Sequence, residues 1–254
     1  PLPPNADGSQ PADRESSAAK IAEGFTRYYE PLYKKQMNDP RAAKKAADTL
    51  LDGDRVLKPT SHKCGAPITI EEVKHTNVYL PSGKSPGPDR IPNAFYKTLS
   101  NVVSPILTKV FNESVVRGSL PSTMMDGTIS MLYKKDTRDD PRHYRPITLL
   151  NSDYKILMRI LTQRMNEAVV QFVSADQNGF VPHAFIAENI MRLQLLQDYI
   201  EEENIAALYL FCDMEKAFDK CSWDFLIQGL ENVGLGETPD AASSASSFQS
   251  EHGV

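Results

Sequence analysis

Residues 206–212, Ala-Ala-Leu-Tyr-Leu-Phe-Cys, form a nearly unbroken apolar run that stops on a carboxylate, Asp213. A run this short, with Phe and Tyr but neither Gly nor Pro, reads as a buried strand. A charge at the tip of a buried strand is costly unless something pairs with it. A divalent cation is the natural partner, so the pattern points to metal-dependent chemistry at Asp213.

The bulk properties leave room for that reading. The chain has 254 residues, 41% hydrophobic and 24% charged, enough for one large domain or two small ones with a sizeable core. Its longest apolar runs are far too short to span a bilayer. The first 25 residues hold no apolar core of a secretory signal. The chain opens on Pro1, which suggests a processed piece, a domain cut from a polyprotein or an incomplete gene product. Cys64, Cys212 and Cys221 show no Cys-x-x-Cys spacing and read as reduced thiols. His62 and Cys64 are close, but no second pair completes a zinc site. The net charge of −5 is unevenly spread. Residues 55–200 carry 18 Lys and Arg against 13 Asp and Glu, whereas residues 201–254 carry 2 against 11. A basic surface beside a carboxylate group suits a polyanion with metal ions between them.

Residues 1–17, rich in Pro, Ser and Asp, read as a disordered linker. Residues 18–64 read as a helical N-terminal extension that joins the main unit. Ile21, Phe25, Tyr28, Tyr29 and Leu32 share one helical face, Pro31 and Pro40 break or kink it, and residues 52–67 form a connector. Thr69 and Glu72 make a capping box for a helix to about residue 78. A Pro/Gly stretch at 81–89 precedes helices from about 93 and over 102–116, the second ended by Gly118 and Pro121. Residues 128–133 and 145–150 pair as a hairpin with a charged tip. Asn151 or Ser152 caps a helix with an apolar stripe of Leu157, Ile160, Leu161, Met165, Val169 and Phe172. Further helices cover about 187–203 and 223–233, and residues 237–254 read as a disordered tail.

Asp213-x-Glu215 superficially matches a phosphatase with an aspartyl nucleophile. Lys216 and Phe218 stand where a phosphate loop needs small residues, and the strand lies too near the end of the chain. Gly-Lys-Ser at 83–85 lacks the upstream glycine of a P-loop, since position 78 is Val78.

Four segments in order decide the matter: SGKSPGPDRIP (82–92), HYRPITLLNSDYKILMRILTQRM (143–165), DQNGFVPHAFIAENI (176–190) and LFCDMEKAFD (210–219). Together they resemble the reverse transcriptases of non-LTR (LINE-type) retrotransposons over about residues 65–236. The stretch FTRYYEPLY (25–33) also resembles the segment joining endonuclease to polymerase in that family. The resemblance implies an α+β fold, reverse-transcriptase fingers with a partial, incomplete palm of a right-hand polymerase. It implies RNA-directed DNA polymerisation by two Mg²⁺ ions, roughly 4 Å apart, with RNA template, DNA primer and dNTP as partners. It implies a place in the nucleus or cytoplasm and no membrane.

Residue by residue, Asp213 matches the first metal-binding aspartate, and the Met214 carbonyl is a second candidate ligand. Phe218 matches the ring beneath the incoming sugar, which excludes a 2′-hydroxyl. Asp219 is in the pattern without a metal role and reads as a helix cap before Trp223 or as bonded to neighbouring backbone. Arg145 matches an arginine on the triphosphate, and either Lys134 or Lys135 matches a second phosphate contact. Gln177, Gly179 and Phe180 match a loop along the template path, with Gly179 supplying a positive φ or a close backbone approach. Lys84, Ser85, Gly87 and Asp89 match an early structural motif near template.

The chain also departs from the pattern. Arg90 stands where the family usually has Gly, and Ala184 where a basic residue is common. No Asp-Asp pair follows position 140, and the Gln-Gly-Pro and Ala-Asp-Asp segments of the family are not in the sequence. The expectation is a truncated, inactive fragment; the alternatives are a nucleic-acid-binding remnant or an unexpressed pseudogene product.

Overall fold

The structure, a computed structural model, describes residues 18–33, 40–50, 56–214 and 217–235. The expectations for residues 1–17 and 237–254 fall outside the described residues.

The architecture is mixed, with helices dominant. Thr69 opens α4 (Ile70–Val78) through the expected capping box. Its hydroxyl accepts the Glu72 N–H, and the Glu72 carboxylate accepts the Thr69 N–H at 2.8 Å. Beyond the Pro/Gly stretch come α5 (Asn93–Thr98) and α6 (Ser100–Arg117). Gly118 ends α6 in the left-handed region, φ 69°, which a side chain resists and glycine does not. A short α7 (Ser122–Met125) leads into β1 (Gly127–Tyr133), which pairs antiparallel with β2 (Tyr144–Leu150) from Gly127↔Leu150 to Tyr133↔Tyr144. α8 (Ser152–Val169), α9 (Ala187–Glu202), α10 (Ala217–Lys220) and α11 (Trp223–Asn232) complete the order.

The main core lies among α4, α5, α6, α7 and α8, around Val73, Tyr96, Phe111, Met124, Ile156 and Ile160. Each such side chain contributes about 1.5–3 kcal/mol by leaving water. The buried face of α8 keeps Leu157 and Ile160 of the predicted stripe and adds residues on one side of it. Ile156, Ile160, Arg164 and Ala168, four residues apart, turn inward, while Met165 and Val169 are only partly covered. Arg164 explains the difference, since a buried arginine looks polar in sequence. Its Nε and Nη2 donate to the two Glu72 carboxylate oxygens at 2.7 and 2.8 Å. Its Nη1 and Nη2 donate to the carbonyls of Cys64, Ala66 and Pro67. The guanidinium therefore nails the start of α4 and the preceding loop to α8.

The N-terminal helices are fastened to this body. α1 (Ala18–Tyr33) is not broken at Pro31 but ends two residues later, so the lost N–H and the ring disturb only its last turn. Tyr29, on the predicted apolar face, donates its hydroxyl to the Tyr144 carbonyl at 3.0 Å. α2 (Pro40–Leu50) starts on Pro40 and packs on α11, where Asn232 Nδ2 donates to Asp48 Oδ1 at 2.9 Å. The connector holds a helix that the sequence reading missed, α3 (Lys58–Gly65), with Pro59 in its first turn and Lys63 bridging Glu167 at 2.7 Å. Val56, Ala168, Val233 and Leu235 form a second small core.

Candidate nucleotide and nucleic-acid site

The hairpin β1–β2 is the best-defined candidate element. Strand alternation sends neighbouring residues to opposite faces. Tyr133 and Tyr144 face each other in register with rings 5.6 Å apart, and Phe25 of α1 meets Tyr144 edge-on at 5.0 Å. That face is turned to α1. The opposite face carries Ser130, Leu132, Arg145 and Ile147, all exposed. Lys134 extends the ladder by one step, its N–H donating to the His143 carbonyl at 2.8 Å. It therefore shares the open face with Arg145, its diagonal neighbour. Lys135 lies past the ladder in the bend.

The tip is held by its own polar groups. His143 Nδ1 lies 2.8 Å from the Thr137 carbonyl, and Tyr144 donates its hydroxyl to the Arg138 carbonyl at 2.9 Å. Arg142 binds both Asp140 oxygens and holds that carboxyl down at about 2. The Arg138 guanidinium lies over the Tyr133 ring, 5.1 Å from its centroid.

The run before Asp213 overturns an expectation. Residues 205–214 adopt no regular element, with Leu208 92% and Phe211 79% exposed and Asp213 open to solvent. A buried strand needs neighbours on both faces and a ladder partner. The one sheet among the described residues is β1–β2, and it offers this run neither. The expected strand-tip carboxylate is thus an exposed aspartate here. Asp213 and the Met214 carbonyl are oxygen donors of the kind Mg²⁺ takes, but no cluster of three His, Cys, Asp or Glu forms among the described residues. Those residues alone do not make a metal site.

Phe218, on α10, is 83% exposed and meets the Phe180 ring edge-on at 5.8 Å. Two site residues 38 positions apart are thereby brought together. The loop before Phe180 is anchored from inside: the buried Asn178 donates to Asn189 at 2.7 Å, and Gln177 donates to the Gly179 carbonyl at 2.9 Å. Gly179 has no positive φ, and a Cβ built on it would meet only Gln177 Nε2, at 3.6 Å. The left-handed residues of this stretch are Phe180, φ 62°, and His183, φ 66°. The cap of α11 is Ser222, whose hydroxyl accepts the Phe225 N–H at 3.4 Å; the side chain of Asp219 lies outside those described. No helix among the described residues is long and apolar enough to cross a membrane.

A family-wide sequence pattern described as "Reverse transcriptase (RNA-dependent DNA polymerase)" matches residues 132–250, beginning in the hairpin that carries Lys134 and Arg145. The RNA-directed DNA polymerase of the mobile element jockey from Drosophila melanogaster is 30% identical over 156 residues, 60% of this chain and 17% of that protein. Residues 132–250 thus carry a reverse-transcriptase domain of the kind found in non-LTR retrotransposons. Other relatives include the Xenopus laevis transposon TX1 149 kDa protein, 26% identical over 91% of this chain and 17% of that protein. The R2DM Pol polyprotein of D. melanogaster is 27% identical over 66% of this chain and 15% of that protein. The chain spans about one-sixth of the length of these relatives. A reverse-transcriptase domain implies the right-hand polymerase fold, and that family generally uses a divalent metal.

Proposed function

We propose that this chain supplies the fingers and the start of the palm for RNA-templated DNA synthesis, with RNA template, DNA primer and dNTP as partners. The hairpin is its triphosphate-contacting element. The register of β1 and β2 carries this reading. It supports Arg145 and Lys134 as the phosphate contacts, because both lie on the one open face as diagonal neighbours, a spacing of roughly 7–8 Å. A planar guanidinium takes two phosphate oxygens, and an ammonium takes a third as a point charge. Alternation argues against Lys135.

Asp213 is proposed as one carboxylate for Mg²⁺, with the Met214 carbonyl beside it. Phe218 is proposed as the ring beside the incoming sugar. Gln177, Gly179 and Phe180 are proposed to border the template, which the contact of Phe180 with Phe218 supports.

The test is titration of the purified chain with a fluorescent deoxynucleoside triphosphate in Mg²⁺ buffer. Arg145→Ala and Lys134→Ala should each weaken binding about tenfold or more, as loss of a charge-assisted contact requires. Lys135→Ala should stay within about twofold. Absence of binding, an inert Arg145→Ala, or equal losses for the two lysines would rule the reading out.

A further inference from the structure

We infer that Asn151 is a positioning residue, a clasp that makes the 82–92 loop and the hairpin a single rigid unit and so fixes the angle at which the hairpin meets a nucleotide. This rests on the hairpin being the triphosphate contact.

Asn151 directly follows β2 and occupies the N-cap position of α8, where an Asn normally gives its Oδ1 to the helix's own N–H groups. Here it makes no such bond. Its side chain, on a residue only 3% exposed, reaches two other segments. Oδ1 accepts the Asp89 N–H at 3.1 Å, and Nδ2 donates to the Thr123 carbonyl at 2.6 Å. Thr123 lies in α7, which leads directly into β1, so one amide ties both feet of the hairpin together and joins them to the loop.

The loop is shaped to reach it. A Cβ on Gly87 would stand 2.2 Å from Asn151 Oδ1 and 2.5 Å from its backbone nitrogen, so only glycine permits the approach. Two further contacts hold the loop to the start of α8. The Ser152 hydroxyl lies 3.1 Å from the Ile91 carbonyl and 2.9 Å from Asn93 Oδ1. Among the described residues the outer half of the hairpin is held by α1, whose Tyr29 and Phe25 meet Tyr144. The clasp sets the feet, and a rotation there carries Arg145, near the far end of β2, with it.

Three variants open the clasp differently. Asn151→Ala removes both bonds, Asn151→Asp keeps the acceptor for Asp89 but loses the donor to Thr123, and Gly87→Ala forces the loop away with Asn151 intact. Amide hydrogen exchange and triphosphate titration are measured on each, beside Arg145→Ala. Asn151→Ala should speed exchange at Asp89 and across residues 124–133 together by about tenfold or more. Asn151→Asp should speed the second region only, and Gly87→Ala the first. Triphosphate binding should weaken about three- to tenfold in Asn151→Ala and Asn151→Asp, whereas Arg145→Ala should weaken it without altering exchange. Unchanged exchange in Asn151→Ala, or faster exchange with unchanged binding while Arg145→Ala still loses binding, overturns the clasp's positioning role. An inert Arg145→Ala, or no binding by the unaltered chain, overturns the nucleotide reading and the positioning role with it, whatever the exchange shows. If Asn151→Ala does not fold, the contrast between Asn151→Asp and Gly87→Ala decides.

Discussion

Replacing Arg164 by methionine keeps most of the side-chain volume and deletes the guanidinium, which isolates its electrostatic role. The arginine is 6% exposed and serves two Glu72 oxygens and three backbone carbonyls. Breaking a buried pair by removing one partner costs about 3–5 kcal/mol. Glu72 keeps its Thr69 donors and some contact with water, so the lower end applies, about 3 kcal/mol. For a chain of this size that lowers Tm by about 6–12 °C. The same pair sets the acid response. The Arg164 hydrogen bonds pull the Glu72 carboxyl from its ordinary 4.5 to about 2, aided by the bonds from Thr69. A carboxyl held low in the folded state contributes stability that is complete above pH 4.5 and lost as pH falls through 2. With nearly a third of that side chain in water, the contribution is discounted to about 2 kcal/mol. Urea melts from pH 7 to pH 2 should show this loss in the unaltered chain. The loss should be absent in Glu72→Gln and much reduced in Arg164→Met. A Tm for Arg164→Met within about 2 °C of the unaltered chain, or parallel acid curves for all three proteins, would refute the reasoning.

Three further outcomes follow from the same structure. Arg90 sits at φ 60° in the turn closed by its N–H to the Gly87 carbonyl, so Arg90→Gly should stabilise by about 0.5–1 kcal/mol, the relief of left-handed strain less the added chain entropy; an unchanged or lower urea midpoint would count against it. Burial, with Asp89 adding to it, raises the Asp153 carboxyl, so its charged form opposes folding. Asp153→Asn should raise Tm at pH 7 by an amount that shrinks as pH falls toward the carboxylate range, and a gain equal at pH 4 and pH 7 would exclude that origin. Asn112 exchanges two 2.8 Å bonds with the backbone of Ile68, and Asn112→Ala should cost about 2 kcal/mol by chemical denaturation, a loss below about 0.5 kcal/mol refuting it.

Local signals were legible where a feature is decided within a few residues. The Thr69–Glu72 box, the Gly118 stop and the strands flanking the 134–143 tip each have their cause next to them in sequence. Features decided by distant partners were not. The run ending at Asp213 has the composition of a buried strand, yet no described strand lies beside it. The burial of Arg164 has no local signal, because its five acceptors come from residues about 100 positions earlier. That Lys134 falls on the open face and Lys135 past the ladder depends on the strand register. Gly179 is the residue that suggests a positive φ in sequence, yet the left-handed residues of that loop are Phe180 and His183. Asn151 could be read as a cap, but its diversion to Asp89 and Thr123 depends on contacts 62 and 28 residues away.

The bond from Asn232 to Asp48 spans 184 residues and ties α2 to α11. A ribosome that adds about 5–20 residues per second needs roughly 10–40 s to cover that separation. Once residue 169 has been made, α4 to α8 can hold their core while α2 still lacks α11. The α2–α11 contact therefore closes late, after the middle of the chain and after the Tyr144 that α1 meets. The exposed time falls on a Lys- and Ala-rich helix, which is soluble while it waits.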